Sequence, residues 1–105
     1  MLPPVQTKAE VIERLQQQRE QLRALGVARL GLFGSFVRDE ARPDSDVDLL
    51  AELEDKALTL NGYFAAVDFL EELLGRSVEV LTPDSLSRHI GPHILREVAN
   101  VPLAA

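Results

Sequence analysis

The sequence predicts an α/β (α+β) chain. Segments with helical apolar spacing alternate with short apolar runs suited to strands, and glycines at 26, 34 and 75 mark the borders between them. The alternation fits inside 105 residues, room for one domain spanning 1–105 and little else. A hydrophobic fraction of 46% and a charged fraction of 27% are those of an ordinary globular protein rather than a disordered one.

Thr7-Lys8-Ala9-Glu10 reads as a capping box, with Thr7 as the N-cap and Glu10 reaching back to its amide. Val11, Ile12, Leu15, Leu22 and Leu25 then keep helical spacing as far as Gly26, which predicts one amphipathic opening helix. Val27 to Phe33 is a short apolar run between Gly26 and Gly34, the pattern of a buried strand. Gly34-Ser35 opens a short segment to Asp39, and Glu40 to Asp44 carries turn chemistry. A second strand is predicted over 45–53.

Leu60, Phe64, Val67, Leu70 and Leu74 form one stripe of a helix over 58–74, with Gly75 as its stop. Ser77 to Leu81 is the third strand. Thr82-Pro83-Asp84-Ser85 starts a short turn, and Gly91-Pro92 starts a last helix over 92–100. The predicted order is α, β, short α, β, α, β, α.

Composition narrows the function classes. The net charge of −6 argues against nucleic acid as the main partner, because such binding draws its affinity from Lys and Arg on phosphates. There is no cysteine, so no disulfide framework or thiolate chemistry arises. Met1-Leu2-Pro3-Pro4 lacks the basic and apolar regions of a signal peptide, and no apolar run is long enough to span a bilayer. A cytoplasmic protein is the expectation.

The chemistry concentrates between Gly34 and Leu49. Side chains alternate across a strand, so Asp46 and Asp48 share one face, their Cα atoms roughly 6–7 Å apart. Two carboxylates this close repel unless a cation lies between them, and hard divalent ions take such oxygen ligands. An isolated Asp-x-Asp is more often a solvated strand end. Here it follows Gly34-Ser35 by ten residues, and backbone N–H groups at a strand-to-helix junction can cradle phosphates. Glu79, flanked by Val78 and Val80, points away from their face and would add a third carboxylate if its strand lies alongside. As an edge-strand charge it would merely discourage aggregation. Arg38 and Arg42 are the nearest cations, able to fork onto phosphate; Arg38 could equally fix the turn by pairing with Asp44 or Asp46.

Gly34-Ser35 followed by Asp46-Val47-Asp48 resembles the signature of minimal nucleotidyltransferases of the DNA polymerase β superfamily. The resemblance runs from the opening helix through Gly75-Arg76-Ser77-Val78-Glu79-Val80-Leu81-Thr82-Pro83. It implies a small mixed sheet with helices packed against it, and a Mg²⁺-dependent transfer of a nucleoside monophosphate, AMP from ATP, to an acceptor hydroxyl. It implies catalytic and metal-ligand roles for Asp46, Asp48 and Glu79, and nucleotide contacts from Gly34, Ser35 and Arg38. Glu79 stands where the family usually has Asp. Small members of the family resemble antitoxins paired with a HEPN-type ribonuclease toxin, which they modify with AMP on tyrosine. The acceptor would then come from a partner protein or across a homo-oligomer interface. A module that neutralises its partner by steric blocking alone is the alternative.

Other residues invite blander readings. His89 and His93 are four apart, but Gly91-Pro92 between them breaks the helix that a shared metal site would need. Tyr63 belongs with core packing, and Glu71-Glu72 with solvated helix surface.

Overall fold

A strand that enters the core must leave it by a turn, and the glycines identified above supply the turns. The computed structural model describes residues 2–103. Its principal elements are α1 (Lys8–Gln17), α2 (Arg19–Ala24), β1 (Val27–Phe33), β2 (Val47–Leu53), α3 (Leu60–Leu74), β3 (Val78–Leu81), α4 (Gly91–Glu97) and β4 (Ala99–Val101). Short 3₁₀ turns lie at Gly34–Phe36, Asp55–Ala57 and Pro83–Ser85.

The sheet order is β3-β2-β1-β4. β1 runs antiparallel to β2 and to β4, whereas β2 and β3 are parallel, so the sheet is mixed as the resemblance implied. α3 makes the crossover that a parallel pair requires. It begins at an N-cap, where Thr59 accepts from the Gly62 amide at 3.0 Å. It ends at Gly75, whose left-handed φ of 68° closes the helix.

Register decides which face of the sheet each residue takes. Leu30 pairs with Ala51, Leu32 with Leu49, and Val47 with Val78, and all but half-buried Val78 are buried. They form one core with Val11 and Leu15 of α1, Leu22 of α2, and Ala66, Leu70 and Leu74 of α3. The three helices therefore cover the same face, and each fully buried leucine contributes roughly 1.5–3 kcal/mol. The opposite face receives Gly31, Phe33, Asp48, Leu50, Glu79 and Asn100. No helix among the described residues is long and apolar enough to cross a membrane.

Four expectations require correction. The opening helix is two, because the chain breaks at Gln18 (φ −113°, ψ 24°) and restarts. Glu10 does reach back, but to the Gln6 amide at 3.2 Å, while Thr7 accepts from the Glu10 amide at 3.1 Å. The last helix stops at Glu97, and Asn100 lies in β4, a strand not foreseen. Three residues of extended chain carry too little pattern to be read, and pairing with β1 creates them. On α3 the buried set is Ala66, Leu70, Leu73 and Leu74, with Leu60 and Phe64 left 71% and 52% exposed. The helix's apolar arc is wider than the sheet can cover, so position along the sheet decides which part is buried.

Candidate active site

Asp48 and Glu79 are registered neighbours on the parallel β2–β3 pair, on the face opposite α1, α2 and α3. Asp48 is half-buried and Glu79 exposed. Asp46 lies one residue before β2 and is exposed, close enough for its charge to act on Asp48. Asp46 and Glu79 both act on Asp48, but among the described residues no three Asp, Glu, His or Cys side chains are grouped so as to hold a metal ion.

The crowding has a chemical signature. Burial, then a hydrogen bond and repulsion from Glu79, then the charges of Asp46 and Glu97, raise the Asp48 pKa from 3.8 to about 6. A carboxylate held so reluctantly is stabilised by a cation, and the donor set is all carboxylate oxygen, which suits a hard divalent ion. An open arrangement of this kind also suits Mg²⁺, which commonly completes its shell with water and substrate phosphates.

Gly34 follows β1 directly and adopts φ 76°, a left-handed conformation that disfavours any side chain. A Cβ at this position would lie 2.0 Å from Oδ2 of Asp48. The glycine is thus required twice, for the turn and for the close approach of the carboxylate. Ser35 and Phe36 continue the 3₁₀ turn, Ser35 half-buried and Phe36 fully buried in the core. The Glu40 amide donates to the Ser35 carbonyl at 2.9 Å and closes the segment. Asp39, at φ 54°, accepts from the Lys8 amide at 3.0 Å and ties the turn to the start of α1.

Arg38 takes neither pairing anticipated for it. Its guanidinium bonds Glu40 at 2.9 Å and also Glu97, the last residue of α4. These carboxylates raise its pKa further. Arg42 forms no salt bridge among the described residues and is exposed. Glu97 is the acidic residue that sequence reasoning missed. Fifty-nine residues separate it from Arg38, so no local pattern announces the contact.

The remaining expectations are quickly placed. His89 lies in a turn and His93 contacts Arg96, so they build no shared site. Tyr63 is half-buried, and its hydroxyl donates to the Val80 carbonyl at 2.7 Å. Glu71 is not simply solvated, since it accepts from the Val78 amide at 3.0 Å and secures the start of β3.

The chain matches the nucleotidyltransferase domain family over residues 12–100. It belongs to that family. The nucleotidyltransferase domain is also 38% identical over 96 residues to the protein adenylyltransferase MntA of Thermococcus cleftensis, covering 90% of this chain and 96% of that protein. It resembles the solved structure of a candidate minimal nucleotidyltransferase, with a TM-score of 0.69 and 35% identity, over 84% of this chain and 93% of that one. The fold alone is shared with a chain of a complex between a tri-AMPylated Shewanella oneidensis HEPN toxin and an MNT antitoxin. There the TM-score is 0.55 and the identity 16%, over 83% of this chain and 71% of the other.

Proposed function

We propose that this nucleotidyltransferase transfers AMP from ATP to a hydroxyl on a partner protein, in the cytoplasm, as the antitoxin of a HEPN–MNT pair. The observation that carries the reading is the registered Asp48–Glu79 pair set against the Gly34 turn. Asp46, Asp48 and Glu79 would hold Mg²⁺, which when bound neutralises triphosphate charge and makes pyrophosphate a better leaving group. The Gly34-Ser35 turn binds phosphate oxygens through backbone N–H and hydroxyl groups. Glu79, the most accessible of the paired carboxylates, accepts the proton of the acceptor hydroxyl. That oxygen attacks the α-phosphorus in line, forming the new O–P bond as the α–β bridging bond breaks and pyrophosphate departs.

The acceptor is read as coming from a partner, because among the described residues α1, α2 and α3 all pack on the opposite face. Name and fold of the relatives point the same way: one is called a protein adenylyltransferase, and another shares its complex with an AMPylated toxin. The test is to incubate the chain with a HEPN-type partner and Mg·ATP and measure the intact mass of the partner. A gain of one AMP that disappears with Asp46→Ala is expected. A partner inhibited without modification, by the unaltered chain and the variant alike, would replace transfer with steric blocking.

A further inference from the structure

Among the described residues, the segment between Glu40 and β2 has no strand partner to hold it. The turn over 42–45 makes two bonds of its own, Ser45 amide to Arg42 carbonyl at 3.0 Å and Arg42 amide to the Ser45 hydroxyl at 2.8 Å. Neither ties it to the rest of the molecule. One side chain does. A terminal nitrogen of Arg76 lies 2.9 Å from the Arg42 carbonyl, 3.1 Å from that of Pro43 and 3.0 Å from that of Ser45.

The same guanidinium reaches further. Its Nε donates to the Val5 carbonyl at 2.6 Å, and its central carbon stands 5.0 Å from the centre of the Phe36 ring. Among the described residues Arg76 forms no salt bridge, so carbonyl dipoles and an aromatic face alone receive its charge. Ser45 immediately precedes Asp46, and Phe36 ends the turn that Gly34 begins. The next residue after Arg76, Ser77, accepts from the Val47 amide at 3.0 Å, which starts the β2–β3 pairing one position before Asp48 and Glu79.

We propose that Arg76 is the positioning residue of this site, holding the acidic strand end and the Gly34-Ser35 turn in register without touching metal or nucleotide. The planar fork of arginine suits three converging carbonyls and an aromatic face at once, whereas lysine offers a point charge. The proposal rests on the transferase reading for the identity of the ligands. Arg76 lies outside the carboxylate cluster itself.

The test compares the unaltered chain with Arg76→Gln and Arg76→Lys, using Mn²⁺ as a spectroscopic stand-in for the metal and ATP as the nucleotide. Outer residues that orient ligands change metal affinity about 10–100-fold when altered, so Arg76→Gln should weaken Mn²⁺ binding by about that factor and raise the KM for ATP. Amide exchange over 42–47 should quicken, while exchange in α3 stays slow. Arg76→Lys should lie between. A lower Tm with Mn²⁺ affinity, KM and local exchange all unchanged would assign the residue to stability alone and overturn the proposal. If Arg76→Gln does not fold, Arg76→Lys becomes the deciding variant, and full Mn²⁺ affinity in it overturns the proposal. If the unaltered chain binds Mn²⁺ and ATP but transfers nothing, the transferase reading fails while the Mn²⁺ comparison still decides the role of Arg76. An unaltered chain that binds neither sinks both.

Discussion

The two faces of the β2 strand, one residue apart along the chain, obey opposite rules. Val47, Leu49 and Ala51 point into the helices and are fully buried among apolar neighbours. Asp48 and Leu50, pointing the other way, are half-buried on the face opposite α1, α2 and α3, and Asp48 is set beside a second carboxylate. The covered face lowers the free energy of the fold. The carboxylate pair on the other face raises it, because like charges are held together and half-withdrawn from water. Stability and chemistry are thus separated by the two-residue period of a strand, and substitutions on each face should separate in the same way.

The widest separation is expected at Asp48. Asp48→Asn should lower AMP transfer on the order of 10³-fold or more, about 4 kcal/mol of transition-state stabilisation. The fold should survive intact, since an amide of the same shape removes the repulsion from Glu79. Mass spectrometry of the acceptor and a thermal melt read the two effects. Loss of folding in this variant would mean that the carboxylate is structural and the contrast between faces false.

On the covered side, Leu70→Ala should cost about 3 kcal/mol of stability, within the 2–5 kcal/mol of buried large-to-small changes. Activity of the folded fraction, measured well below the melting point, should change little. A selective loss of transfer at unchanged Tm would show that α3 sets the site directly.

Gly34 lies where the faces meet, and Gly34→Ala tests both at once. A left-handed φ costs an alanine about 1–2 kcal/mol, and its methyl group would displace the Asp48 carboxylate. Misplacement by about 1 Å can cost 10²-fold in rate, so transfer should fall far more than stability. Equal falls, or none, would argue that the turn does not locate the carboxylate.

How much of this was legible beforehand follows the range of the forces involved. Strand alternation set Asp48 away from the face of Val47 and Leu49, and Glu79 away from that of Val78 and Val80, because the period of two is fixed by the backbone; that the two strands pair in register came from the fold. Gly26, Gly34 and Gly75 marked real ends, because positive φ is a local demand. The break at Gln18 leaves no mark on the apolar spacing, and the strand at Ala99–Val101 is created by pairing with β1. The partners of Arg38 and Arg76 were hidden for a related reason. Glu97 is 59 residues from Arg38, and Arg76 bonds to backbone carbonyls, which every residue carries and no motif encodes.

The smallest expected effect is the dependence of stability on pH, and its sign follows from Asp48. Folding raises its pKa from 3.8 to about 6, by burial first and by Glu79 second. Between pH 4 and 6 the folded chain therefore holds a proton that the unfolded chain has released, and stability falls as pH rises through that window. Below about pH 4 the contribution is complete, and above about pH 7 it is gone. At about 1.4 kcal/mol per unit the ceiling is about 3 kcal/mol, but the side chain is only half-buried and solvent screens it, leaving about 1 kcal/mol. Other carboxylates titrate in the same range, so the clean quantity is the difference between Asp48→Asn and the unaltered chain. That difference should be near zero at pH 4 and reach about 1 kcal/mol in favour of asparagine at pH 7. Millimolar Mg²⁺ should then narrow it, since an ion bound between the carboxylates removes the repulsion that asparagine removes by lacking a charge. A difference that is flat with pH would show that Asp48 ionises freely in the fold, and the carboxylate pair would lose its claim to stored charge.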